Sequence, residues 1–172
     1  MYKIVGTFCI LAGCAGFGCA RVRQEKDRIQ YLRGFIHVIR RIQDEISYGK
    51  HTLPEICRIL ADEGEAWCAP YFEEIYRQMM QESGRGLKEA WDGQMKACMQ
   101  DLPLQEEERD IIMKLPAFLG LQEETRQAMS FSQSVELLGR KCRQAEDAYE
   151  NRAKMIHSVS ILAGLLLSIL LL

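Results

Sequence analysis

Each end of the chain carries a stretch free of Asp, Glu, Lys and Arg, residues 4–20 (IVGTFCILAGCAGFGCA) and 156–172 (IHSVSILAGLLLSILLL). This pair constrains the fold more than any other feature. As a helix, each stretch reaches about 26 Å, close to the thickness of bilayer hydrocarbon. The expected organisation is a transmembrane helix over 1–20, a polar central domain over 21–154 and a C-terminal transmembrane helix over 155–172. The central part is long enough to bury one core.

The first stretch has a competing reading. Leu11-Ala12-Gly13-Cys14 matches a bacterial lipobox behind Lys3, which would make the segment a cleaved signal and Cys14 a lipid attachment point. Against this, the apolar run continues through Phe17 and Cys19, where a lipoprotein turns polar.

Orientation follows from the basic residues. Arg21, Arg23, Lys26 and Arg28 follow the first span, whereas Lys3 alone precedes it; Arg152 and Lys154 precede the second. Both spans thus put the central domain in the cytoplasm and the protein in the cell membrane. Small residues recur four apart within the spans: Ala12, Gly16 and Ala20 in the first, Ser160, Gly164 and Ser168 in the second. Such ladders are candidate helix-packing faces in a membrane, although short spans often contain small residues.

The central domain reads as all-α, an antiparallel bundle of about six helices. Ile29, Leu32, Ile36, Ile39, Ile42 and Ile46 recur every three or four residues and predict an amphipathic helix over 25–48, closed at Tyr48-Gly49. Thr52 and Glu55 have the spacing of a capping box and open a second helix that ends near Gly64. Pro70 suits the start of a third, with Tyr71, Phe72, Ile75, Tyr76, Met79 and Met80 on its apolar face. A fourth runs from Leu87 to about Met99 on Ala90, Trp91, Met95 and Cys98. The acidic run Gln105 to Glu108 favours a fifth helix start, and Pro116 is expected to kink or end that helix. The longest pattern is Ala128, Phe131, Val135, Leu138, Cys142, Ala145, Tyr149 and Arg152, a heptad seam expected to run unbroken into the second span.

The chain offers little chemistry. Its net charge is −2 and no face is densely basic, which argues against nucleic acid. The seven cysteines form no CxxC pair and scatter over apolar positions, as small core residues in a reducing compartment do. Ser83-Gly84-Arg85-Gly86-Leu87-Lys88 lacks the spacing and the preceding strand of a phosphate-binding loop. His37, His51 and His157 have no partner spacing for a metal or a nucleophile. Glu106, Glu107, Glu108 and Asp110 point in successive directions around a helix start and are expected to stay solvated. No catalytic residue, metal, cofactor or small-molecule substrate is expected.

The chain resembles the bacterial stage III sporulation protein AB family over essentially its full length. The likeness is carried by the Gly-rich first span, Glu45-Ile46-Ser47-Tyr48-Gly49 with Leu53-Pro54-Glu55 after it, Ala90-Trp91, Leu119-Gly120 followed by Gln127, and Leu162-Ala163-Gly164-Leu165-Leu166-Leu167. It departs at Leu121-Gln122-Glu123-Glu124, a longer polar series than relatives carry. The resemblance implies a role in endospore formation, within the channel complex that links the mother cell to the forespore. It also implies a bundle similar to the platform protein of type II secretion and type IV pilus machines.

On that reading the protein is a non-enzymatic adaptor in the mother-cell membrane around the forespore. Its expected partners are the lipid bilayer, the cytoplasmic ATPase stage III sporulation protein AA and other membrane proteins of the complex. Candidate partner-binding residues are Arg33, Arg40, Arg41 and Asp44 on the first helix of the bundle, and Glu106, Glu107 and Glu108 on the fifth. The alternative is a dimeric membrane-bound regulator that pairs through the heptad helix, residues 128–152.

Overall fold

A computed structural model describes the backbone of residues 2–48, 51–81, 86–119 and 124–171; side chains are described from residue 22 onward, except 124, 125, 153, 156, 157 and 160–171. Among the described residues all regular structure is helical: α1 (Tyr2–Ser47), α2 (Leu53–Glu63), α3 (Ala69–Met80), α4 (Leu87–Met99), α5 (Glu106–Met113), α6 (Leu115–Leu119) and α7 (Glu124–Leu171). The chain divides into two compact units, residues 1–29 with 143–172, and residues 30–142.

The larger unit is a bundle in which α2 packs on α3, α3 on α4, and α4 on both α5 and α6. Its helices begin and end where local chemistry dictates. Thr52 and Glu55 form the expected capping box on α2, Thr52 donating its backbone N–H to the Glu55 carboxylate at 2.6 Å. At the other end of α2, a Cβ on Gly64 would collide with the Leu60 carbonyl oxygen, so only glycine closes that turn without displacement. Pro70 lies in the first turn of α3, where its missing N–H costs nothing. Pro116 lies in the first turn of α6, where it cannot donate the hydrogen bond that would make one helix of α5 and α6.

The core of this unit gathers Leu32, Phe35, Val38, Ile39 and Ile42 of α1, Phe72 and Ile75 of α3, Trp91 and Met95 of α4, Ile112 of α5, and Phe131 and Leu138 of α7. Two positions differ from the apolar pattern: Ile36 and Ile46 are half-buried, while Phe35 and Val38 go fully inside. A 3.6-residue period drifts around a long helix, so no single three-four series stays on the buried face. Met80, assigned to the α3 apolar face, is exposed.

α1 and α7 continue into the smaller unit as uninterrupted helices of 46 and 48 residues. There Glu25 of α1 accepts hydrogen bonds from Arg28 at 3.3 Å and from Arg152 of α7 at 3.0 Å. Among the described residues no helix is long and apolar enough to cross a membrane. The side chains of both expected spans, with the ladder residues Ala12, Gly16, Ala20, Ser160, Gly164 and Ser168, lie outside the described set.

Candidate interaction surface

The polar face of α1 presents a row of charged residues. Arg33, His37, Arg40 and Asp44 follow one another at spacings of about one helical turn and are exposed. Arg41 lies beside them and is committed locally: its guanidinium reaches Glu45 at 3.1 Å and Glu63 of α2 at 3.0 Å. Glu45 in turn faces His51 Nδ1 at 2.8 Å, which ties the start of α2 back to α1. A groove runs between α1 and α2 next to this network, with His37 and Arg41 on one wall and Ile59 and Glu63 on the other. Of the α1 candidates, Arg40 and Asp44 keep side chains that form no ion pair with any described residue.

The α5 candidates separate into three situations. Glu106 is exposed. Glu107 pairs with Lys141 of α7, and this contact holds its carboxyl below the usual range. Glu108 is fully buried and accepts the Gln105 backbone N–H at 2.7 Å as half of a second capping box. The solvated reading of Glu108 is therefore corrected: it shares a face of α5 with Ile112, one turn on, and that face is buried. A docking partner cannot reach it.

Polar groups elsewhere in the bundle are spent on structure. Arg109 donates to three backbone carbonyls, those of Met99, Leu102 and Leu104, and so clamps the end of α4 and the loop after it. The buried Trp91 indole donates to the Ile112 carbonyl at 3.2 Å. Among the described residues no buried side-chain polar atom lacks a hydrogen bond, and no group of His, Cys, Asp and Glu could hold a metal ion. Burial pushes the thiols of Cys57 and Cys68 up to about 12 and that of Cys98 up to about 11, so all three stay protonated at neutral pH and pack as apolar groups.

The heptad helix has its own correction. Phe131, Leu138, Cys142 and Ala145 are buried by the chain itself, whereas Ala128 is exposed and Val135 half-buried. Gln127 and Ser134 take the inward positions instead, Gln127 reaching the Leu119 carbonyl at 3.4 Å and Ser134 the Ser130 carbonyl at 3.0 Å. Four of the eight seam positions, Phe131, Leu138, Cys142 and Ala145, are thus taken up by the chain itself.

Sequence reasoning missed the tightest aromatic assembly. Trp67, in the link between α2 and α3, lies across α1, with ring centroids 5.2 Å from Tyr31 and 4.8 Å from Phe35. The signal was Gly34, an unexplained glycine inside a strong helical pattern.

Taken together, these observations define an all-helical bundle whose buried polar groups serve its own architecture and whose charged residues lie mostly on its surface. The sequence matches the family described as Stage III sporulation protein AB over residues 3–172, and the chain belongs to that family. It is 26% identical to Stage III sporulation protein AB of Bacillus subtilis (strain 168), over 99% of both chains. A solved structure titled Stage III sporulation protein AB shares the fold with a TM-score of 0.65 at 19% identity, covering 72% of this chain and 97% of that one. Membership assigns the protein a role in sporulation.

Proposed function

We propose that this protein is a non-enzymatic, membrane-anchored adaptor in endospore formation. It sits in the mother-cell membrane around the forespore with residues 21–154 in the cytoplasm, helps assemble the channel complex between the two cells, and docks that complex's ATPase, stage III sporulation protein AA. The observation that carries this reading is the continuity of α1 and α7, 46 and 48 residues long, from the apolar ends of the chain into the bundle. Helices of that length extend about 70 Å, against about 30 Å of bilayer hydrocarbon. Each therefore has length to cross the membrane and still reach well into the cytoplasm. A bundle tethered twice to one membrane face is suited to holding a partner in position rather than to turning over a substrate.

The exposed row on α1, chiefly Arg33, Arg40 and Asp44, with Glu106 on α5, is the surface assigned to the partner. Cross-linking of the tagged full-length protein in membranes of sporulating cells tests the reading. Recovery of the ATPase joined to residues 21–154 supports the adaptor; self-links alone, with the ATPase present but never joined, sink it.

A further inference from the structure

Within the unit of residues 1–29 and 143–172, Glu25 resolves one part of the local charge and leaves another part open. Its carboxylate lies between Arg152 Nη1 at 3.0 Å and Arg28 Nη1 at 3.3 Å, and its side chain is only 17% exposed. These three groups satisfy one another and bring α1 against α7. Other cations of the same stretch stay in solvent: Arg23 and Lys26 on α1, and Lys154 on α7, which meets Glu150 at the surface at 3.6 Å. Each lies within about 3 Å of helix rise from Glu25 or Arg152, so the three form a collar at one level of this unit. Asp27 and Glu150 are the exposed anions nearby.

Immediately beyond the collar on α7, Met155 and Val159 stand one turn apart and are 62% and 59% exposed. Two large apolar side chains on one face, directly after exposed cations, reproduce the change of solvent from water through phosphate headgroups to acyl chains. On α1 the same boundary falls in sequence at Ala20-Arg21.

We propose that Arg23, Lys26 and Lys154, with Met155 and Val159 below them, form a binding surface for the headgroups of anionic glycerophospholipids. The inference rests on the membrane reading above and adds that the surrounding lipid is selected by charge. Arg28 and Arg152 are left out of this surface because both guanidinium groups are already engaged with Glu25.

The test is reconstitution of the full-length protein in bilayers of phosphatidylcholine containing spin-labelled phosphatidylglycerol or spin-labelled phosphatidylcholine, with the motionally restricted fraction read for each label. The wild type is expected to restrict phosphatidylglycerol several-fold more strongly. Neutralising the collar by Arg23→Gln, Lys26→Gln and Lys154→Gln is expected to bring the restriction of the two labels close to equality. These side chains are exposed, so circular dichroism should show unchanged helicity. Lys88→Gln, Lys96→Gln and Lys114→Gln together, the same loss of three charges at exposed positions of the bundle, should leave the preference intact. Equal restriction of both labels by the wild type, or a preference that survives the triple variant, overturns the collar while leaving the anchor standing. Absence of any restricted component from either label overturns the anchor as well.

Discussion

At the scale of single residues, Gly34 is constrained by a distant side chain. A Cβ there would come within 2.9 Å of Trp67 Cζ2 and 3.4 Å of its Nε1. The indole cannot move aside freely, because Tyr31 and Phe35 hold it edge to face at interplanar angles of 86° and 68°. In an isolated helix, Gly34→Ala would gain about 1 kcal/mol of propensity. Here overpacking wins, and a net loss of about 1–2 kcal/mol is expected in urea unfolding. In a Trp67→Ala background the sign should reverse; a Gly34→Ala variant more stable than wild type would show that the ring yields. A second residue-scale effect concerns acid. Arg77 donates to Glu74 at 2.8 and 2.6 Å and Gln78 at 2.8 Å, and these bonds pull the Glu74 carboxyl from 4.5 down to about 2. A lowered native value means that the stabilisation is complete above 4.5 and disappears as pH falls towards 2. The difference in unfolding midpoint between wild type and Glu74→Gln should therefore shrink across that window; a constant difference refutes the assignment. Sequence displayed Gly34 as an anomaly but could not supply Trp67, because a contact between distant chain positions leaves no local signature.

At the scale of elements, boundaries were legible wherever a helix end is set by its own residues. Thr52 with Glu55, Pro70 in a first turn, Pro116 in the first turn of α6 and the start of α4 at Leu87 all follow from backbone chemistry readable in one dimension. Ends set by a remote side chain were not. The loop after α4 is held by Arg109, whose guanidinium serves Met99, Leu102 and Leu104 together. In sequence Arg109 is one more charge after an acidic run. Arg109→Ala should cost about 2–3 kcal/mol, the range for charge-assisted hydrogen bonds lost from part-buried carbonyls. Lys in its place should recover little, since an ammonium lacks the planar fork that spans three acceptors. Hydrogen exchange gives the specific readout: faster exchange confined to residues 100–105 and the end of α4 supports the clamp, while uniform acceleration across the bundle means only general destabilisation. Glu108 teaches the same lesson from the opposite side. Its spacing to Ile112 placed it on the buried stripe, and its charge disguised it as solvated.

At the scale of the whole molecule, helical class and helix order were legible because hydrophobic periodicity reports which faces are buried. It does not report what covers them. The α7 seam shows the difference: the same apolar repeat suits a self-pairing coiled coil and a helix packed into its own bundle. One seam residue and its neighbour allow a test. Leu138 is 0% exposed in the single chain, whereas its neighbour Leu137 is 40% exposed. Leu138→Asp would bury a carboxylate with no partner and should unfold the bundle outright, at a cost of several kcal/mol. Leu137→Asp, one position round the helix, should leave helicity and unfolding midpoint nearly unchanged. Both variants are best compared in detergent micelles across a range of protein concentrations, because a fold completed by a second chain gains stability by mass action and one completed internally does not. A wild-type midpoint that rises with concentration, together with a folded Leu138→Asp monomer, would return the seam to an intermolecular role. A constant midpoint with loss of fold makes the seam part of the monomer core, held by the same burial that encloses Phe131 and Leu138.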